Sequence, residues 1–253
     1  MSPGHAIFLL AAGALGGAMN AVAGGGSFVG FPALMFAGVP PISANASNTV
    51  ALWMGMTASS GAYRRRLSVP GRVLIPLLLA AIAGGAGGAV LLLHTPARTF
   101  LRVIPWLLLA ATLLFIFGGK LARGRSSVGH ETTLGAIATA ACMELAVATY
   151  GGYFGGGMGI VILAMLSAMG MSEIHSMNAL KSVLSAATNG VAVIAFVIAR
   201  AVYWPEALVM LAGAAAGGYF GAHYALRLPQ TWVRGFVILA GVAMTTYFFV
   251  KAY

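Results

Sequence analysis

Residues 24–60 read GGGSFVGFPALMFAGVPPISANASNTVALWMGMTASS. The opening glycines lead into an apolar segment, residues 28–38, of about eleven residues, whereas a helix needs roughly 20 to cross a bilayer. Val39-Pro40-Pro41 then stops that segment, because proline has no N–H to continue a helix. A polar cluster follows in an otherwise oily chain: Ser43, Asn45, Ser47, Asn48 and Thr49. Residues 155–187, GGGMGIVILAMLSAMGMSEIHSMNALKSVLSAA, repeat the plan with glycines, a short apolar segment, a break at Gly170, and then His175, Ser176, Asn178, Lys181 and Ser182.

The surrounding composition sets the class. The 253 residues are 60% hydrophobic and 7% charged, with mean hydropathy +0.94. A soluble chain carries about 25% charged residues, so this one cannot cover its surface with polar side chains. It reads as an integral membrane protein. Strand alternation is absent and the apolar runs are long, so the spans are helical; only helices and closed barrels satisfy their backbone in lipid. The net charge of +10 fits loop arginines on the cytoplasmic side. No basic segment outside the membrane is long enough for nucleic-acid binding. The one cysteine, Cys142, excludes an internal disulfide and a cysteine metal site. Residues 6–23 have the apolarity of a signal peptide, but no Lys or Arg precedes them, which argues against one.

Apolar runs predict helices at residues 7–23, 28–38, 45–63, 73–93 and 100–119, then at 132–150, 158–169, 175–199, 205–226 and 233–250. The charged stretch 120–131 is the only linker. The two halves align at an offset of 131 to 133: Gly24-Gly25-Gly26 on Gly155-Gly156-Gly157, Gly38 on Gly170, Gly84-Gly85 on Gly217-Gly218, and Pro96 on Pro229. The expected fold is therefore an all-α integral membrane protein of 8–10 helices. It forms one membrane domain over 1–253, made of tandem repeats 1–125 and 130–253 with about five helical segments each, including short broken or re-entrant helices. Inverted repeats are preferred over parallel ones, because inversion lets the two polar breaks meet near the midplane from opposite sides. Broken hydrophobic segments at matching positions in two halves point to a transporter's binding site.

The stretches GGGSFVGFPALMFAGVPPISANASNTVAL, GAYRRRL at 61–67, and YGGYFGGGMGI followed by MNALK resemble the TauE/SafE sulfite-exporter family, also called the toluene sulfonate uptake permease family. The resemblance spans both repeats. It implies a multi-pass secondary transporter of the bacterial inner membrane. Its cargo would be a small organosulfur anion: sulfite, sulfoacetate or another sulfonate.

Several residues fit such a site. Each glycine run precedes a short helix, whose first N–H groups lack internal partners and carry roughly half a positive charge. Gly25, Gly26 and Ser27, with Gly156 and Gly157, would let an anion approach that backbone; the competing reading is close helix crossing. Asn48 and Asn178 offer amide donors from the two halves. Asn45 could join them or cap the following helix, as could Ser43. Lys181 is the only Lys or Arg within a broken helical pair, and an intramembrane cation is a functional candidate; snorkelling to the headgroups is its alternative. Glu144 is the only acid in the middle of a predicted span. It is read either as a proton-coupling group or as a structural partner, for instance of Lys181. Trp53 reads as packing, His175 as a cap, and Tyr150 and Tyr153 as donors or interfacial anchors.

No catalytic set, Walker loop or metal-ligand spacing is present, and the chain has no Asp. An enzyme, a metal site and a bound cofactor are not expected. The expected partners are the anion and the lipid bilayer; pairing into a homodimer is compatible with the reading. An uncoupled anion channel or facilitator, or a non-transporting membrane partner module, is the alternative function.

Overall fold

The computed structural model describes residues 1–23, 25–63, 69–121, 133–171, 173–224 and 230–253. Arg64, Arg65, Arg66, Glu131 and nearly all of the 120–131 linker lie outside these, as does the side chain of His175. The described residues form ten helices: α1 (Pro3–Ala23), α2 (Ser27–Phe36), α3 (Pro41–Tyr63), α4 (Gly71–His94), α5 (Ala97–Leu121), α6 (Leu134–Tyr153), α7 (Met158–Ala168), α8 (Ile174–Ile198), α9 (Trp204–Tyr224) and α10 (Gln230–Ala252). The fold is all-α, as expected. Gly71–His94, Leu134–Tyr153 and Ser176–Ile198 are each long and apolar enough to cross a membrane. Bulky apolar side chains such as Ile75, Leu79, Leu208 and Leu239 are exposed on the outside, the surface a bilayer would cover.

The two short helices end alike. Gly38 N donates to Met35 O at 3.0 Å and Val39 N to Leu34 O at 3.1 Å; Gly170 N donates to Ser167 O at 3.0 Å and Met171 N to Leu166 O at 3.1 Å. Each pair is a Schellman closure, which requires a left-handed residue. Gly38 (φ 90°) and Gly170 (φ 87°) supply it without a Cβ penalty. The helices are thereby cut to ten and eleven residues, about 15 Å of axis.

One boundary differs from expectation in a way that matters. α3 begins at Pro41, not near residue 45, because proline is pre-set for the first helical position. Ser43 and Asn45 therefore lie inside the helix and do not cap it. Glu173 does act at a helix start, accepting from Ser176 N at 2.5 Å.

Helix packing is organised across the two halves. α1 lies on α9, and α4 on α6. α3 packs on α9, and α4 on α8. α5 packs on α7, and α10 on α2. α3 meets α8, and α5 meets α10. Exchanging the halves, α1 for α6 through α5 for α10, returns this set to itself. The first of these pairs is sealed by glycine. A Cβ on Gly13 or Gly17 would strike the carbonyl of Met210 or Ala214, and one on Gly213 or Gly217 that of Leu10 or Ala14. On the α4–α6 side, a Cβ on Gly84 would lie 2.6 Å from Leu145 O, and one on Gly88 would strike Thr149 O. Small residues that let backbones approach are how helices associate in lipid, where apolar burial gives no drive.

Two hydrophobic clusters fill the interior. The larger surrounds α2, where Phe31 packs against Phe248, Phe154 and Phe100 at ring separations of 5.6, 5.7 and 6.2 Å. The smaller joins α4, α6, α7 and α8 through Leu77, Ala81, Ala148, Met158, Ile162 and Leu184.

Candidate functional site

The polar residues of α3 are buried because the helix touches α2, α8 and α9 at once. Asn45 and Asn48 are each 1% exposed and Ser47 is fully buried. Spaced by three, the asparagines share one helical face. Asn48 Nδ2 donates to Ser27 Oγ at 3.0 Å, at the first residue of α2. Asn45 Nδ2 donates to the carbonyl of Tyr153 at 3.1 Å, at the last residue of α6 and the entry to the second glycine run. One face of α3 thus bonds to the residue after the first glycine run and to the end of α6 that leads into the second. The second run also meets α2 and α5: a Cβ on Gly157 would lie 3.7 Å from Phe28 Cζ and 3.2 Å from Ala111 Cβ. Asn45 and Asn48 therefore tie Ser27, which follows Gly25 and Gly26, and Tyr153, which precedes Gly156 and Gly157, to one helix.

The glycine runs are not identical. Gly26, before α2, is right-handed, and a Cβ there would strike Gly16 O of α1; helix crossing accounts for this glycine. Gly157, before α7, is left-handed at φ 74°. Neither helix start has a side-chain cap. Tyr150 Oη donates to Gly156 O within the turn, and Tyr153 Oη donates to Thr95 Oγ1 at 3.4 Å, at the end of α4.

Lys181 and Asn178 sit one turn apart on α8, with Lys181 Nζ donating to Asn178 Oδ1 at 3.0 Å. Lys181 is half-buried. Glu144 is fully buried, and neither carboxylate oxygen has a hydrogen-bond partner; it is not paired with Lys181. It shares the buried face of α6 with Ala140 and Ala148, toward α4. In the register that aligns the glycine runs, Glu144 falls on Gly13, which packs on Met210 of α9. The two corresponding crossings differ by a carboxylic acid at this point.

Three contacts had no sequence signal. Ser47 Oγ accepts from Tyr203 N at 2.9 Å, binding the α8–α9 connection to α3. Gly30 leaves room for Asn48 Oδ1, which a Cβ would strike. Trp53 Nε1 donates to Ala186 O at 3.0 Å, a packing role made possible by Gly190, where a Cβ would lie 3.2 Å from the indole. Among the described residues no group of acids, histidines and cysteines could hold a metal ion.

Residues 9–248 match the family model described as sulfite exporter TauE/SafE. The chain belongs to the TauE/SafE sulfite exporter family. Similar proteins include a probable membrane transporter protein of Haemophilus influenzae, 27% identical over 214 residues, 84% of this chain and 82% of that one. Another is the probable membrane transporter protein ORF9 of Sinorhizobium sp, 27% identical over 220 residues, 87% of this chain and 82% of that one. A third is YfcA of Escherichia coli K12, also a probable membrane transporter protein, 27% identical over 216 residues, 84% of this chain and 77% of that one. No solved structure matches. Family and fold together identify a multi-pass membrane protein of the transporter class, not an enzyme.

Proposed function

We propose that this TauE/SafE protein is a secondary transporter that moves a small organosulfur anion, sulfite, sulfoacetate or another sulfonate, across the bacterial inner membrane by alternating access. The observation that carries the reading is that one face of α3 bonds through Asn48 to the start of glycine-opened α2 and through Asn45 to the end of α6, which leads into the second glycine run. Two helix N-termini brought together offer an anion backbone N–H groups and positive dipole ends from both halves. Lys181 adds the full positive charge from α8, by turning away from Asn178. The Asn45 and Asn48 amide nitrogens already donate to Tyr153 O and Ser27 Oγ, so in this reading they position the helix starts and do not hold the anion themselves.

The exchange of packing partners between halves supports two repeats, residues 1–125 and 130–253; we read them as inverted, with one rocking against the other. Glu144 carries the coupling proton. It is a carboxyl buried within a span without a hydrogen-bond partner, and it lies at the crossing where the two halves differ.

The test is flux in proteoliposomes. Labelled sulfite, sulfoacetate and toluene sulfonate are offered for counterflow exchange and for uptake driven by an imposed pH gradient. The reading expects counterflow with one of them and accumulation driven by the gradient. Flux that no ion gradient drives uphill replaces the reading with a facilitator. No flux and no binding, in folded protein, replaces it with a non-transporting membrane module.

A further inference from the structure

The buried side-chain groups left unpaired among the described residues of α3 are oxygens. Asn45 Oδ1 and Asn48 Oδ1 are both buried without a hydrogen-bond partner. The orientation of Asn45 is determined, because its nitrogen faces the Tyr153 carbonyl, which can only accept; the other amide atom must be the oxygen. Two donors on the same helix are already engaged: Thr49 Oγ1 with Asn45 O at 2.9 Å, and Trp53 Nε1 with Ala186 O at 3.0 Å. Asn45 lies beside the C-terminal end of α6, whose carbonyls carry partial negative charge, and Asn48 lies one turn away at the first residue of α2. Burial of two acceptors in such surroundings is unfavourable unless a partner of opposite polarity meets them.

We infer that Asn45 and Asn48 form part of a binding site for a small monovalent cation, with sodium as the ion. The donor set is neutral oxygen, which suits a hard cation. It contains no carboxylate: Glu144 belongs to the other cluster, and divalent Ca²⁺ or Mg²⁺ is held by carboxylates. In broken-helix transporters, half-helix C-terminal ends and unwound carbonyls are where coupling cations sit, while N-termini face the anionic substrate. Here both kinds of end are fastened to the same face of α3. The inference concerns the cation alone and does not require the anion reading to hold.

The test uses the full chain purified in detergent. Thermal unfolding is followed in sodium, potassium and choline chloride at equal ionic strength, and ²²Na⁺ binding is measured directly. The expected result is a saturable rise in melting temperature with sodium, absent in choline, and ²²Na⁺ bound and displaced by unlabelled sodium. Asn48→Asp, which keeps the oxygen and adds a negative charge, should lower the half-saturating sodium concentration severalfold. Asn45→Ala and Asn48→Ala should lose the sodium response. Equal melting temperatures in all three salts with no ²²Na⁺ bound would overturn the site. Folded alanine variants that keep the wild-type sodium response would overturn it too. The ²²Na⁺ measurement on unaltered protein decides the matter if the variants fail to fold. Choline salts of sulfite and toluene sulfonate form a parallel arm: an anion-induced shift without a sodium effect rejects the cation site and leaves the anion reading intact, and the reverse pattern does the opposite.

Discussion

Trp53 and Ala186 stand 133 positions apart and are joined by a hydrogen bond of 3.0 Å. That separation is the offset that places Gly84 on Gly217, so the bond links two residues that correspond between the halves. It marks where α3 and α8, the two polar helices, meet.

Trp53→Phe keeps a ring opposite Gly190 and removes the donor. Because Ala186 sits inside α8, its carbonyl retains a helical partner. The expected loss is therefore at the low end for a hydrogen bond, about 0.5–1 kcal/mol. Gly190→Ala, pressing on the indole, should be destabilising in the wild type and tolerated better alongside Trp53→Phe. A double-mutant cycle by thermal unfolding measures the coupling; additive effects would show that ring and glycine do not share the contact.

The glycine crossings predict a position-dependent series. Gly217→Ala drives a methyl into the Ala14 carbonyl and Gly84→Ala drives one into Leu145 O, and overpacking of this kind costs about 1–3 kcal/mol. Gly87, on the same helix as Gly84, has nothing within 4 Å of its would-be Cβ. Gly87→Ala should be neutral or stabilising by up to about 1 kcal/mol, since alanine is the better helix former. Melting temperatures of the three variants check the series, and a strongly destabilised Gly87→Ala would contradict it.

Glu144 separates stability from transport. Its oxygens have no partners to lose, so Glu144→Gln should melt close to wild type and Glu144→Leu at or above it, since replacing an unsatisfied buried polar group by an apolar one is neutral or stabilising. Both variants should fail to accumulate anion under a pH gradient yet retain counterflow. If gradient-driven uptake survives Glu144→Gln, the proton is carried elsewhere.

Lys181→Met removes the charge and keeps the stem. Hydrogen bonds to charged groups contribute about 1.5–3 kcal/mol, which corresponds to roughly a 10- to 100-fold loss of anion affinity. Titration of ligand-induced thermal stabilisation in wild type and variant provides the comparison. Unchanged affinity would leave Lys181 as a partner of Asn178 only.

What the sequence revealed follows from how local each signal is. The glycine stops at Gly38 and Gly170 and the proline at Pro41 act within a few residues, so two short helices and an all-α membrane class could be read directly. Lys181 and Glu144 stood out because charge is rare in this chain. The partners of Asn45 and Ser47 were not readable. Tyr153 lies 108 residues from Asn45 and Tyr203 lies 156 from Ser47, and each supplies a backbone group, which leaves no trace in side-chain identity. For the same reason Asn45 looked like a helix cap: the pattern Pro-Ile-Ser-Ala-Asn does not say whether the helix starts at the proline or at the asparagine. Gly30 and Gly190 were silent, since a glycine does not declare which neighbour needs its space.

The pairing of α1 with α9 has a consequence for biosynthesis. The seam of Gly13 and Gly17 is complementary to Met210 and Ala214, about 200 residues further along the chain. At 5–20 residues per second that is roughly 10–40 s of translation. During that interval α1 rests in the bilayer with its seam against lipid or against a chaperone, and α4 waits for α6 in the same way, though more briefly. A nascent chain halted between α5 and α6 would carry both seams unmatched, recognisable to a membrane protease as an orphan.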